Sequence, residues 1–315
     1  LHNHSEYSLL DGLSKLSEMI TRVIEVDQQA IALTDHGNVH GAIDFYQTAK
    51  KSGIKPIIGV EGYVANGSRS ERNSNERQPY HITLLAQNLT GYKNILKLVT
   101  KANLEGFYYR PRFDREILEK YNEGIIVLSG CPSSELGKHI KIDQHEKAGD
   151  TIDWYQEVFN NRYYLELMMH EGVPEQEKIN KALVEFSKDK KVPLVVTNDT
   201  HYVRPDDAYL QDILTCIVTN SHVNDPKRMR LEDQTYYIRS GDEMASQWKE
   251  LPDGIRNTMV IAESCELDLT FGKTLLPRFQ TPEGITSMDY LRQLCSEGVR
   301  KRFNNPDPKV IDRLE

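Results

Sequence analysis

The chain has 315 residues, enough for one large α/β barrel with an appendage or for two ordinary domains. Hydrophobic residues make up 38% and charged residues 27% of the chain, which is typical of a globular protein. The sequence contains no run of about 18 apolar residues, the length that would predict a transmembrane helix. The formal net charge of −8 argues against general electrostatic binding of a nucleic-acid backbone. It does not exclude a nucleic-acid substrate that binds in a cleft where metal ions neutralise the charge.

The cysteines and the chain ends indicate the cellular setting. The four cysteines lie far apart without C-x-x-C spacing, so we expect no disulfide framework and a cytoplasmic protein. The first residues contain neither the basic nor the apolar part of a secretion signal, and no membrane partner is expected. Because the chain begins at Leu1 without Met and stops inside a helix-like run at residues 310–315, we expect a fragment of a longer polypeptide.

Short apolar runs alternate with helical patterns up to about residue 200, which indicates repeated β-α units. Seven strands are predicted, at residues 1–4, 30–34, 56–64, 80–86, 124–129, 163–167 and 193–197. Helices are predicted between them at residues 15–26, 41–51, 91–103, 114–121, 145–160 and 175–190. The sequence therefore predicts an α/β fold.

Two polar segments interrupt this pattern. Residues 66–79 (NGSRSERNSNERQP) predict a mobile surface loop, and residues 220–234 predict a polar connection. Further helices are predicted at residues 205–219, 241–249, 255–265 and 288–303, the last one after a linker marked by two prolines. We place a domain boundary near residue 272, between a domain at residues 1–272 and a short region at residues 273–315.

Two pairs of metal-binding side chains have i, i+2 spacing. His2 and His4 lie on a predicted strand, where alternate side chains point to one face, so both imidazoles can face one cavity. Asp11 follows in the next loop, where its carboxylate can return to the same place. Asp199 and His201 form the second pair, directly after the strand at residues 193–197.

Four further candidates flank or interrupt apolar strands, and each has a simpler alternative. His36 follows the strand at residues 30–34, where its neighbour Asp35 is expected to form a turn or support a ligand. Glu61 is a charge inside an apolar run, which requires a cation, either a metal ion or an arginine. His81 taken alone is more typical of a core histidine, and Cys131 of a small buried apolar side chain.

Together these candidates favour one metal centre, because several separate strand ends carry ligand-type side chains. Barrel enzymes hold their chemistry at the ends of their strands. The mixture of imidazole, carboxylate and thiolate suits zinc, manganese or iron better than magnesium or calcium. The nine predicted ligands are His2, His4, Asp11, His36, Glu61, His81, Cys131, Asp199 and His201. The histidines expected not to bind metal are His40, His139, His145, His170 and His222.

Several motifs resemble the polymerase and histidinol phosphatase (PHP) family, most closely the PHP domain of bacterial polymerase III alpha subunits. They are LHNHSEYSLLDG at residues 1–12, TDHGN at 34–38, GVEGYV at 59–64, LSGC at 128–131 and TNDTHY at 197–202. EGFYYRPRFD at residues 105–114 and LLPRFQTPEG at residues 275–284 are also similar to these polymerases. The resemblance covers essentially the whole chain and implies a distorted seven-stranded (β/α) barrel of the TIM-like kind, followed by the start of a truncated polymerase palm region.

The resemblance also implies three divalent metal ions. The first ion would be bound by His2, His4, Glu61 and Asp199. Glu61 would bridge to a second ion, which His81 and Cys131 also bind. The third ion would be bound by Asp11, His36 and His201. Among these residues, Asp11, Glu61 and His36 are expected to be catalytic.

The function that the resemblance implies is 3′→5′ exonuclease activity that proofreads DNA synthesis. Clustered cations suit phosphodiester hydrolysis, because they activate water and offset developing negative charge. The partners would be a DNA 3′ end, the remainder of a polymerase chain and other replisome subunits, while this chain itself should not polymerise DNA. Arg110, Arg112, Tyr108 and Tyr109 could bind the DNA backbone and stack a terminal base, or could equally be a loop packed on the barrel rim.

Two other functions remain open from the sequence. The same metals could serve a phosphatase that acts on a small molecule, although the motif at residues 275–284 argues against it. Alternatively, the metals could stabilise a non-catalytic scaffold that docks other replisome proteins.

Overall fold

The structure, a computed structural model, describes residues 1–231, 233–274, 276–277 and 279–314, with the backbone alone at Asn75. Glu232 in the predicted polar connection, Leu275 and Arg278 in the predicted linker motif, and Glu315 lie outside the described residues. The chain divides into two compact units, Leu1–Asp268 and Leu269–Glu315. The functional division that the sequence places at residue 272 stays a prediction.

A mixed seven-stranded sheet forms the frame of the first unit. Its order is β1-β2-β3-β5-β6-β7, with β4 beside β2. Strand β3 runs antiparallel to both of its neighbours, whereas the other pairs are parallel. No crossover helix separates β2 from β3, so the chain returns antiparallel there. The strands are β1 Ala30–Leu33, β2 Lys55–Val64, β3 Tyr80–Ala86, β4 Arg112–Phe113, β5 Ile125–Leu128, β6 Tyr163–Leu167 and β7 Leu194–Val196.

The first residues of the chain join the two edges of this sheet. Asn3 forms a parallel bridge to Thr200, just after β7, and the backbone N–H of His4 donates to the carbonyl of Thr200 at 2.7 Å. On the other side, the backbone N–H of Thr34, just after β1, donates to the carbonyl of Asn3 at 2.9 Å. The predicted strand at residues 1–4 is therefore a single bridge rather than a regular strand, and it closes the sheet into a distorted barrel. The predicted α/β barrel is confirmed.

The helices follow most of the predicted segments, and most helices of the first unit alternate with its strands along the chain. Helix α5 was not predicted, because it is short and contains Gly137; it begins where the Ser134 hydroxyl accepts from the backbone N–H of Gly137 at 3.0 Å. None of the helices among the described residues is long and apolar enough to cross a membrane. The helices are α1 Leu16–Glu25, α2 Ala42–Lys51, α3 Leu89–Leu104, α4 Arg115–Lys120, α5 Glu135–Lys141, α6 His145–Phe159, α7 Gln176–Lys190, α8 Ala208–Thr219, α9 Gly241–Gln247, α10 Pro252–Ser264, α11 Ser287–Arg302 and α12 Pro308–Leu314.

Helix α10 covers one end of the barrel. Ile261 and Ala262 of this helix pack against strand residues such as Ile57 and Val195, which all lie in one buried cluster. The backbone N–H of Glu266, just after the helix, donates to the carbonyl at residue 87, beyond the last residue of β3. Because β3 runs opposite to its neighbours, its last residues lie at the end where the parallel strands begin. The candidate site lies at the opposite end of the barrel, where the parallel strands finish.

The polar segment at residues 66–79 is anchored to the barrel, unlike the mobile loop that its composition predicts. A short 3₁₀ helix, Ser74–Arg77, carries Glu76 into a fully buried ion pair with Arg112 of β4 at 2.8 Å. Arg69 in the same segment binds Asp114 at 3.0 Å. Strand β4 was missed because two residues are too few for an alternating pattern.

Candidate metal centre

The nine side chains that the sequence predicts as ligands converge at the end of the barrel opposite α10. They come from the N-terminal segment, from the loops after β1, β5 and β7, from the middle of β2 and from the start of β3. His81 stands at the start of its strand, yet it joins the group because β3 is antiparallel to β2 and β5. The chain thus brings together residues that are up to 199 positions apart, from His2 to His201. Their role as metal ligands stays a prediction.

The carboxylate of Glu61 lies at the middle of the group. One oxygen, Oε1, is 2.9 Å from His81 Nδ1, 3.4 Å from His2 Nε2 and 3.5 Å from Cys131 Sγ. The other oxygen, Oε2, is 2.5 Å from His36 Nδ1. The side chain is 1% exposed, so Glu61 has both oxygens turned toward ligand-type side chains in a buried setting.

The carboxylate of Asp199 lies beside the imidazoles of His2 and His4. Its Oδ1 is 3.4 Å from His2 Nε2 and 3.2 Å from His4 Nε2. The same oxygen is 3.7 Å from His201 Nδ1. Asp199 has a positive φ of 45°, a conformation that costs about 1–3 kcal/mol and is found preferentially at functional sites. This backbone turn lets both Asp199 and His201 contribute.

Asp11 lies on the remaining side of the centre. Its Oδ1 is 3.3 Å from His36 Nε2, and its Oδ2 is 3.8 Å from His201 Nε2. The ring of His4 lies 4.1 Å from the ring of His36 and 4.4 Å from that of His201. Extended chain at Tyr236 supports this side, since its carbonyl accepts from the backbone N–H of His201 at 2.8 Å.

Three overlapping groups have the spacing that a metal ion needs, with ligand atoms within 4.8 Å of one another. They overlap at His4 and His36, which each belong to two groups. The resemblance instead separates His4 from His36, so the division of the ligands among three ions stays a prediction. The groups are His4 with His36 and His201, His2 with His4 and Asp199, and His36 with Glu61 and His81.

Buried ligand atoms without hydrogen-bond partners show that this donor set fits metal ions. Buried polar atoms in folded proteins are nearly always paired, because an unpaired one costs about 1–3 kcal/mol. Here six atoms of the predicted ligands are buried and, within the described part of the chain, have no hydrogen-bond partner. They are His2 Nε2, His4 Nε2, Asp11 Oδ1, His36 Nδ1, Glu61 Oε2 and Asp199 Oδ1. Cations at the centre would satisfy all of them.

The electrostatics of the centre keep its carboxylates ionised. Burial raises the pKa of Glu61, but the charges of His81, His36 and His2 hold it well below its usual value. Burial also raises the pKa of Asp11, and His201 and His36 bring it down to about 2. These groups can therefore act as anionic ligands near neutral pH.

The imidazole and thiol groups respond differently to burial. Burial, with the neighbouring His36 and His201, lowers the pKa of His4 to about 3, so this ring is neutral with a lone pair available. Burial and the charge of Glu61 raise the pKa of the Cys131 thiol well above its usual value. A metal ion would favour the thiolate form instead, since binding displaces the proton.

Glu166 is a buried residue of the centre that the sequence analysis missed. It lies in β6, is 2% exposed, and its Oε1 is 2.9 Å from His2 Nδ1. It also accepts from the Thr197 hydroxyl at 2.7 Å and from the backbone N–H of Gly130 at 2.9 Å. The sequence contains a pattern that could have identified Glu166, because it is a charged residue inside an apolar strand, as Glu61 is. Such a carboxylate fixes the ring of a ligand histidine.

Asp35 supports the centre from behind, in agreement with the sequence analysis. It accepts from the backbone N–H of Ser5 at 2.7 Å and from the Ser8 hydroxyl at 2.8 Å. The Ser8 hydroxyl is in turn 2.9 Å from His4 Nδ1. Asp35 thus fixes the orientation of His4 without facing the ligand atoms.

The four residues predicted to contact DNA differ in burial and in the contacts they make. Arg112 is completely buried, and donates to Glu76 and to backbone carbonyls, so its prediction as a DNA contact is corrected to a structural role. Tyr108 is half-buried with the Arg112 guanidinium 5.4 Å from its ring centre, whereas Tyr109 is 61% exposed. Arg110 is exposed and lies 5.8 Å above the ring of Tyr63. Tyr63 in turn contacts the rings of two predicted ligands, so Arg110 lies close to the centre.

A barrel that gathers buried imidazoles and carboxylates at one end of its strands is an arrangement that suits metal-dependent hydrolysis. The family model described as "PHP domain" matches residues 1–170. The chain belongs to the PHP domain family.

Curated relatives match nearly the whole length of this chain. DNA polymerase III subunit alpha from Borreliella burgdorferi is 44% identical and matches 99% of this chain and 28% of its own length. DNA polymerase III subunit alpha from Thermus aquaticus is 40% identical and matches 96% of this chain and 26% of its own length. The chain therefore spans about a quarter of these relatives. The resemblance to the PHP domain of polymerase III alpha subunits is confirmed.

Solved structures are similar over part of the chain. An amidohydrolase from Chromobacterium violaceum has a TM-score of 0.40 and 14% identity, and covers 64% of this chain and 86% of its own. A putative metal-dependent phosphoesterase from Bifidobacterium adolescentis has a TM-score of 0.41 and 12% identity, with the same coverage of 64% and 86%.

Proposed function

We propose that this chain hydrolyses phosphodiester bonds with bound divalent metal ions, acting as a 3′→5′ exonuclease on DNA. The six unpartnered ligand atoms at the centre carry this proposal. The polymerase relatives support DNA as the substrate, and the remainder of a polymerase chain and other replisome subunits as partners in the cytoplasm. Zinc, manganese and iron suit the donor set best.

The exposure of the ligands defines how a substrate reaches the centre. The side chains of His2 and His4 are completely buried, and that of Glu61 is 1% exposed. The side chains of His36 and His81 are 14% and 23% exposed. The buried residues would hold metal ions, and the scissile phosphate would enter on the side of His36 and His81.

The chemistry divides between the ions and the side chains. Divalent ions at this centre would supply an activated water and would offset the charge of the phosphate. Asp11 Oδ1 and His36 Nε2 lie 3.3 Å apart at the accessible side, where both side chains would hold an ion close to the scissile phosphate. Glu61 would keep its position through contacts with residues from four parts of the chain. No serine or cysteine nucleophile is required.

Hydrolysis of end-labelled single-stranded DNA tests this proposal. Metal-free protein would be supplied with manganese or zinc, and products would be followed from the 3′ end. We expect one-nucleotide steps that stop with chelator, and a loss of at least about 100-fold in Asp199→Asn. This variant keeps the backbone, because asparagine also tolerates positive φ.

Two other outcomes would overturn the proposal in different ways. Rapid hydrolysis of a phosphomonoester with inert DNA would indicate a phosphatase for small molecules. Protein that binds metal ions and gains thermal stability, yet hydrolyses neither substrate, would indicate a scaffold.

A further inference from the structure

A basic groove opens directly beside the candidate metal centre. It has a cavity volume of about 380 Å³ and is lined by His81 and Tyr63 together with four cationic side chains. His81 is the most exposed histidine of the centre, and the Tyr63 ring lies 5.2 Å from it. Tyr63 also stacks on the ring of His36 at 6.2 Å. The groove and the centre therefore share a wall.

The four cations of the basic groove come from separate parts of the chain. They are Arg77 of the anchored segment, Arg110 before β4, and Lys138 and Lys141 of α5. Among the described residues that line the groove, none carries a carboxylate. A chain with a formal net charge of −8 thus concentrates positive charge at the entrance to its metal centre.

Nearby carboxylates do not neutralise this charge. Glu76 is bound to Arg112 at 2.8 Å, and Glu135 to Arg115 at 2.9 Å. Three groove cations lie instead over aromatic rings, namely Arg77 over Tyr109 at 5.5 Å, Arg110 over Tyr63 at 5.8 Å and Lys138 over Tyr80 at 5.0 Å. Such contacts hold a cation in place while its N–H groups stay free to bind an anion.

We infer that the basic groove binds the phosphate backbone of a single nucleic-acid strand whose terminal phosphodiester lies at the metal centre. This inference rests on the proposed function and extends it, because it assigns the strand-binding role to Arg77, Lys138 and Lys141, together with Arg110. A phosphomonoester would meet the ions alone. A strand would also meet cations spaced along its backbone, and these contacts carry affinity without reading sequence.

Binding can be measured without hydrolysis. Fluorescence anisotropy would report the binding of labelled single-stranded oligonucleotides of two to eight nucleotides to the Asp199→Asn protein. We expect affinity to rise with length, and the slope of log Kd against log salt to fall by about 0.7 for each phosphate contact that is lost. Lys138→Met and Arg77→Met should each lose one such contact. Lys147→Met is the matched control, since Lys147 is exposed on α6 outside the groove.

The outcomes separate this inference from the proposed function. Groove variants that bind every length as the control does would overturn the inference, even where wild-type protein degrades DNA. Length-dependent binding that the groove variants lose would support it, even where wild-type protein proves inert on DNA. Equal competition by polyglutamate and by unlabelled DNA would also overturn it, because the groove would then accept any polyanion.

Discussion

Glu61 carries its charge inside a buried strand, and its surroundings explain how the fold tolerates it. An unpaired buried carboxylate would cost several kcal/mol. Glu61 is instead surrounded by imidazoles, with His81 Nδ1 2.9 Å from one carboxylate oxygen and His36 Nδ1 2.5 Å from the other. Glu166 in β6 is stabilised differently, because it accepts hydrogen bonds from the Thr197 hydroxyl and the Gly130 backbone N–H in addition to its contact with His2. Residues of this kind connect the burial of charge to metal binding.

We predict that Glu166→Gln weakens metal binding by about 10- to 100-fold without unfolding the protein. The neutral amide keeps the shape of the side chain but removes the charge that orients His2. A chelating dye in competition with the protein measures the affinity. Glu157→Gln on the exposed face of α6 is the control, and equal affinities for the two variants would contradict the role of Glu166.

His170 gives a prediction about pH. It is 2% exposed, and burial lowers its pKa to about 4, although Asp199 and Asp233 partly oppose the shift. In the unfolded chain it would protonate near its ordinary pKa of about 6.5. The stability that its neutral ring contributes is therefore complete above about pH 6.5 and is lost as the pH falls toward 4, by about 3 kcal/mol.

The variant His170→Asn, which can still bond to Thr235, should flatten this dependence. Urea unfolding in chelator between pH 7.5 and 4.5 measures it, and chelator removes any contribution of bound metal. Both proteins share every other ionisable group, so the difference between their two curves reports His170 alone. Parallel stability curves for wild type and variant would contradict the prediction.

At the scale of elements, the sequence predicts most of the regular structure and the types of side chain at the centre. Periodicity identified β1 to β3 and β5 to β7, and nearly all the helices. It did not identify the antiparallel direction of β3 or the two-residue β4, because both depend on pairing between distant segments. The same limit applies to Arg112: its motif indicated a DNA contact, whereas its burial follows from the fold of residues 66–79.

We predict that Arg112→Met destabilises the protein by about 3–5 kcal/mol, because it leaves Glu76 buried without its partner. The segment at residues 66–79 should then become sensitive to proteolysis. Urea unfolding and limited proteolysis measure these effects. Arg110→Met, an exposed arginine two positions away, should change the free energy of unfolding by less than about 0.5 kcal/mol. Similar losses in the two variants would contradict the structural role of Arg112.

For the molecule as a whole, closure of the barrel would be coupled to the proposed metal binding. The N-terminal segment that joins β1 to β7 also supplies His2 and His4, and the loop after β7 supplies Asp199 and His201. Metal ions would therefore hold together the two edges of the sheet. Ions that bind only the folded chain stabilise it in proportion to the logarithm of their concentration.

We predict that the melting temperature rises with the concentration of manganese or zinc and falls with chelator. Ions at about 100 times their Kd would add about 2.7 kcal/mol for one site. Differential scanning fluorimetry measures the shift. Asp199→Asn should show a smaller rise than wild type, and an equal rise in both proteins would place the binding elsewhere.

We propose that nine side chains far apart in the sequence form one centre that binds metal ions. Elemental analysis of the protein after loading with manganese or zinc and desalting tests it most directly. We predict three ions for each chain in wild type, in keeping with the three overlapping ligand groups, and a clear loss in Asp199→Asn. Wild-type protein that retains no ion after loading would contradict it.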